Sequence, residues 1–132
     1  MTEEFARELG ACIDRMDAAP FVEYLSEDAV FRFGNMEPVV GRAAIREGVD
    51  AFFGMIRSIR HEVLRTHAAG DYMIVEMRCT YEDQWGRTLR VPVCNVFRMA
   101  PNGLIEEYLI YIDNHALFVP PAEAGEGRMQ TA

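Results

Sequence analysis

Two stretches decide the fold: Met73-Ile74-Val75-Glu76-Met77-Arg78-Cys79-Thr80-Tyr81-Glu82, and Leu89-Arg90-Val91-Pro92-Val93-Cys94-Asn95-Val96-Phe97-Arg98-Met99. In the first, Met73, Val75, Met77, Cys79 and Tyr81 take every second place, with Glu76, Arg78, Thr80 and Glu82 between them. That is the period of a strand with one buried face. The second stretch repeats it, with Arg90, Pro92, Cys94, Val96 and Arg98 turned the other way. Asp83 to Arg87, with Gly86, reads as the hairpin connection between them. Beyond the turn Pro101-Asn102-Gly103, a last strand over Leu104–Asp113 sets Leu104, Tyr108, Ile110 and Ile112 against Ile105, Glu107, Leu109, Tyr111 and Asp113. Upstream, His61 to Ala68 reads as a further strand that ends at the Ala69-Gly70-Asp71 turn.

Before His61 the period is helical. Phe5, Leu9, Cys12, Ile13 and Met16 give an amphipathic helix over Thr2–Asp17, with Glu4, Arg7, Glu8, Asp14 and Arg15 on its wet side. Pro20 suits the first turn of a short helix to Leu25, with Asp17 as a candidate cap. Val30 to Phe33 reads as a strand with Phe31 and Phe33 on one face, broken at Pro38–Gly41. Ile45, Val49, Phe52, Ile56 and Ile59 step by three and four, which predicts a long helix over Gly41–Ile59. Helices followed by antiparallel strands make an α+β domain, a sheet with helices on one face. A strongly twisted sheet of this kind wraps round its helices and leaves a natural pocket. A single domain over residues 1–118 is expected, with a flexible tail over 119–132, where Pro, Ala, Gly and Glu carry no period.

The 132 residues include 13 Lys and Arg against 21 Asp and Glu, a net charge of −8, which argues against nucleic acid or an anionic membrane surface as partner. No apolar run approaches the roughly 20 residues of a membrane span, and the acidic Met-Thr-Glu-Glu-Phe start is unlike a secretory leader. Three cysteines without a C-x-x-C spacing read as reduced thiols, and the expectation is a cytoplasmic protein. No two His or carboxylates share a ligand spacing on one face, so neither a metal nor another cofactor is expected.

The order of these elements, with Ser26-Glu27-Asp28-Ala29-Val30-Phe31, Gly41-Arg42-Ala43-Ala44-Ile45, Asn102-Gly103-Leu104-Ile105 and Tyr111-Ile112-Asp113, is similar to the SnoaL-like members of the nuclear transport factor two superfamily. The resemblance covers roughly residues 5 to 118. It implies a cone-shaped roll of curved sheet and helices round one deep apolar cavity, in a dimer built through the sheet's outer face. The ketosteroid isomerases of that superfamily use a helix tyrosine, a strand carboxylate and a protonated aspartate. Those positions fall here on Cys12, near Arg32, and on Asn95. The acid–arginine–acid set of the limonene-epoxide hydrolases, with its tyrosine and asparagine, falls near Met77, Cys79, Ile110, Phe31 and Phe33, where no member survives. The SnoaL-like dehydratases imply a histidine at His61 and an aspartate at Asp17, with Cys12 again in the tyrosine's place.

Asn95 stands out without any family. It is the one strongly polar side chain in the apolar row from Leu89 to Met99. A buried amide lacking partners costs about 1–3 kcal/mol, so it needs a partner in the fold or in a ligand. One role is a structural amide satisfied by backbone or buried water; the other is a donor to a substrate carbonyl or oxyanion. Tyr81 is either a half-buried aromatic with a wet hydroxyl or a second donor. His61 is either an exposed or capping residue at a helix–strand junction or a general base. Asp113 is placed to tie down backbone at a strand end beside His115. Asp83, Glu82, Glu106 and Glu107 read as solvated.

Two functions fit this pattern. One is a small cofactor-independent acid/base enzyme of isomerase, dehydratase or cyclase type, acting on an apolar carbonyl-containing polyketide-, steroid- or terpenoid-like molecule. Asn95 and Tyr81 would polarise its oxygen and His61 would move the proton. The other is a non-catalytic module that binds an apolar ligand or a protein. Face parity predicts a pocket bounded by Phe31, Phe33, Met77, Cys79, Tyr81, Val93, Asn95, Phe97, Tyr108 and Ile110, with Phe52 and Met16 from the helices; a one-residue slip would invert it. Leu109, Tyr111, Val96 and Cys94 on the other face suggest a homodimer through the outer side of the sheet.

Overall fold

The computed structural model describes residues 2–121. Helix α1 spans Thr2–Asp14 and α2 Ala18–Val22; strands β1, Leu25–Phe33, and β2, Val39–Val40, follow, then helix α3, Arg42–Phe53. Four long strands complete the chain: β3 Ile56–Ala69, β4 Tyr72–Asp83, β5 Thr88–Met99 and β6 Ile105–Ile112, before a 3₁₀ turn at His115–Phe118. One six-stranded sheet runs in the order β2-β1-β6-β5-β4-β3. Its pairs are antiparallel except β1 with β6, which is parallel, so the sheet is mixed. The chain reaches β6 through the whole β3–β5 meander and so enters it in the same direction as β1.

The parity of the central strands is as expected. Val75, Met77, Cys79 and Tyr81 are buried on β4, while Arg78 is exposed; Val93, Asn95 and Phe97 are buried on β5. The register pairs Met77 with Val93 and Val75 with Asn95, which brings these inward side chains onto one face.

The helix ends differ from the expectation. α1 stops at Asp14, three residues short, because Met16 takes a left-handed φ of 59° and turns the chain. Asp17 is thereby free to cap α2, accepting from the Ala19 N–H at 3.1 Å. α2 ends at Val22, and Leu25 opens β1. α3 ends at Phe53 with Gly54 as its cap, so Ile56 and Ile59 belong to β3 and not to a helix reaching Ile59. A register shift between Ile56 and Ser58 explains the error. That bulge buries both Ile56 and Ile59, so a strand imitates the three-residue step of a helix. Within the expected break at Pro38–Gly41, Val39 and Val40 still pair with Phe31 and Val30.

Asp83, expected in solvent, is 0% exposed. Its Oδ1 accepts from the Trp85 and Arg87 N–H groups at 3.0 and 2.8 Å, and its Oδ2 from Arg87 Nε at 2.7 Å. The Arg87 guanidinium donates onward to the carbonyls of Ala116 and Val119 at 2.9 and 3.0 Å. The expected tail therefore begins with a tethered residue at Val119; from residue 122 on it lies outside the described residues. Asp113 behaves as expected, accepting from the His115 N–H.

Candidate active site

The concave side of the sheet, α3 and the end of α1 enclose a cavity of about 260 Å³. Phe31, Phe33, Met77, Cys79, Tyr81, Val93, Asn95, Tyr108 and Ile110 line it from the strands, and Phe52 from α3. Met36 and Glu37, both exposed, stand at its edge. Two residues expected on this wall are elsewhere. Phe97 is buried farther along β5 against Tyr108, at 4.5 Å between ring centroids, in the part of the concave face that α1 covers. Met16 forms the reversal that ends α1, and Ile13 reaches the wall in its place.

His61 also lies on the wall, within β3 and not at a helix junction. Its register partner is Cys79, so both side chains face inward. Its side chain is 8% exposed and held by one carboxylate. Asp14 Oδ1 is 2.6 Å from His61 Nδ1, and the same carboxylate accepts from the His61 backbone N–H at 3.1 and 3.2 Å. The last residue of α1 thus caps an edge-strand amide and orients an imidazole together. Gly10 permits the approach, since a Cβ there would stand 3.1 Å from His61 Cβ. Burial opposes a charged imidazole, but the bond to Asp14 and the neighbouring Cys79 sulfur outweigh it and raise the pKa to about 9. His61 is therefore an imidazolium at neutral pH. On the side away from the apolar cavity, His61 and Asp14 border a groove with Arg7, Arg60, Thr80 and Arg90. The pair stands between an apolar chamber and a polar one.

The sequence pattern missed Asp14, which lies 47 residues from its partner among the solvated charges of α1. The aspartate matched by resemblance, Asp17, caps α2 instead. Asn95 is 3% exposed, and its Oδ1 is buried with no hydrogen-bond partner. Turned either way, such an amide offers a ligand an acceptor or a donor. Burial, reinforced by Cys79, holds the Tyr81 hydroxyl well above its ordinary pKa, so it stays a neutral donor. Burial does the same to Tyr108. His67 pairs on the exposed side with Glu76 at 2.7 Å, away from this site. Among the described residues no cluster of three or more His, Cys, Asp or Glu could hold a metal ion, and no helix is long and apolar enough to cross a membrane.

A family model for the SnoaL-like domain matches residues 6–108. The chain belongs to the SnoaL-like domain family. Solved structures share its fold. An epoxide hydrolase/cyclase-like enzyme of pyran ring formation in the polyether salinomycin, SalBIII, superimposes with a TM-score of 0.74 at 19% identity, covering 85% of this chain and 90% of that one. A Catenulispora acidiphila protein with a ketosteroid isomerase-like fold, solved with trimethylamine, gives 0.76 at 16% identity, covering 84% and 86%. An LEH-like epoxide hydrolase from M. tuberculosis gives 0.70 at 17% identity, covering 86% and 83%. No curated protein matches this SnoaL-like domain. At these identities the likeness is one of fold. Met77, Cys79 and Ile110, near which the resemblance to the limonene-epoxide hydrolases put the acid–arginine–acid set, all line the cavity of this SnoaL-like domain.

Proposed function

We propose that this SnoaL-like domain is a cofactor-independent acid/base enzyme for an apolar, carbonyl-bearing small molecule, with His61 as proton carrier. Asp14 orients His61; Asn95 and Tyr81 hold the substrate oxygen. The observation that carries this reading is the unpartnered amide of Asn95 on the same apolar wall as a carboxylate-held histidine. Because His61 rests as a cation, it acts first as the acid. It protonates the carbonyl oxygen or a leaving hydroxyl, and the neutral imidazole then takes the proton from the adjacent carbon. Enolisation and loss of water both balance on this one group, which ends protonated as it began. A polyketide-, steroid- or terpenoid-like ring system suits the aromatic lining.

The test is α-proton exchange of 2-tetralone in D₂O followed by NMR. The wild type should accelerate exchange over buffer, and an unchanged rate would remove the acid/base reading. Asn95→Leu should lower that rate about a hundredfold, the usual cost of one preorganised donor. Its melting temperature should hold or rise, because Oδ1 leaves no protein partner stranded. A clear fall in melting temperature would make Asn95 a structural amide.

A homodimer through the outer sheet face accompanies this proposal. Tyr111 is 60% exposed there, on the same face as Leu109, Val96 and Cys94. Sedimentation equilibrium at micromolar concentration should show twice the chain mass; the 15.0 kDa species alone would refute it.

A further inference from the structure

The geometry points to a second use of the same histidine: Cys79, His61 and Asp14 form a nucleophilic triad whose thiol adds to apolar α,β-unsaturated carbonyl compounds in the cavity. His61 and Cys79 are directly opposed across the β3/β4 pair, both inward and both on the cavity wall. Opposed pairs of this kind hold their Cβ atoms about 5 Å apart. Asp14 Oδ1 fixes the ring's Nδ1 at 2.6 Å. A nucleophile, an imidazole ring beside it and a group that orients the ring are the parts of a triad. Asn95 is the independent sign that a ligand belongs there: it is 3% exposed, its Oδ1 has no partner, and it shares the cavity with Cys79.

The step balances without an oxidant. Cys79 Sγ bonds to the β-carbon, and the π pair moves through an enolate whose oxygen lies within the reach of Asn95 and Tyr81. Because His61 already carries a proton, the thiol gives its own to solvent before the attack. The α-carbon then takes a proton from the His61 imidazolium, and the proton released to solvent restores it. The adduct reverses by the same path. An enone is also what loss of water from a β-hydroxy ketone leaves behind, so the ligand class rests on the acid/base reading, while the nucleophile does not. Selectivity among the cysteines follows from place. Cys79 is as buried as Cys12 but lines the cavity, which Cys12 does not; Cys94 lies on the other face of the sheet, and burial raises the pKa of the Cys12 and Cys94 thiols.

The probe is oct-3-en-2-one in small excess over the intact protein, with the adduct counted by whole-protein mass and located by peptide mapping. The expected result is one adduct, on Cys79 ahead of Cys12 and Cys94, forming at least tenfold more slowly in His61→Gln or Asp14→Asn. First labelling at Cys94 or Cys12, no labelling, or an unchanged rate in folded variants would overturn the triad. The wild-type labelling site decides even if a variant fails to fold. Labelling of Cys79 without tetralone exchange defeats the acid/base reading alone, and exchange without labelling defeats the triad alone.

Discussion

Asp83→Ala should cost this domain about 3–5 kcal/mol, the usual penalty for breaking a buried ion pair from one side. The carboxylate has no exposed surface and receives three hydrogen bonds, two of them from backbone amides of the hairpin. Its loss strands those amides and the Arg87 guanidinium, which is only 24% exposed. A domain of this size is stable by about 5–15 kcal/mol, so roughly a fifth or more of the margin would go. The damage should extend beyond the hairpin. Arg87 holds the carbonyls of Ala116 and Val119, and between them Phe118 lines the cavity with its ring 6.4 Å from Phe52. Urea unfolding followed by the fluorescence of Trp85, the chain's one tryptophan, is the measurement. A variant within about 1 kcal/mol of wild type would show that the clamp is dispensable. Burial raises the Asp83 pKa, but the Arg87 and Trp85 donors outweigh it and lower the pKa below 3.8. Its share of stability is therefore present above that pH and lost as pH falls through the depressed value.

Asp83 also shows where a sequence pattern runs out. Glu82 and Asp83 are adjacent acids at a hairpin, and nothing in their order distinguishes the one that faces solvent from the one that folds back on Arg87. Strand parity was legible because a period of two repeats on β4 and β5 and locks both faces at once. Asn95 was legible for the same reason: one amide interrupts a row that is otherwise apolar. The boundary of α3 was not, since a bulge gave Ile56 and Ile59 the spacing of a helical stripe. The parallel pairing of β1 with β6 was hidden because it joins segments about eighty residues apart, as the Ser26 hydroxyl bond to the Ile105 carbonyl illustrates at 79. Asp14 was hidden by the same kind of distance. On α1 alone it is one polar residue of an amphipathic helix, and it meets His61 only because Gly10 lets that helix close on β3.

That closure makes His61 the residue whose loss should cost activity most. His61→Gln keeps a hydrogen-bonding side chain near Asp14 but cannot carry a proton, so tetralone exchange should fall by about 10²–10⁴-fold, the usual share of general acid–base catalysis. The wild type should lose rate as pH rises through about 9, where the imidazolium that starts the reaction disappears. Stability should follow the same group. Its folded pKa lies above the ordinary 6.5, so the contribution is complete below 6.5 and is lost as pH rises through about 9. A shift of that size corresponds to about 3 kcal/mol. Urea midpoints across this window should fall in the wild type and stay flat in His61→Gln. Asp14→Asn separates a working dyad from a structural contact. It removes the charge that offsets burial, so the alkaline limb of the rate profile should move to lower pH, and the histidine's NMR titration should move with it. A limb that stays at about 9 in folded Asp14→Asn would mean that Asp14 only caps the β3 edge, and the proton carrier would then have to be sought elsewhere on the cavity wall.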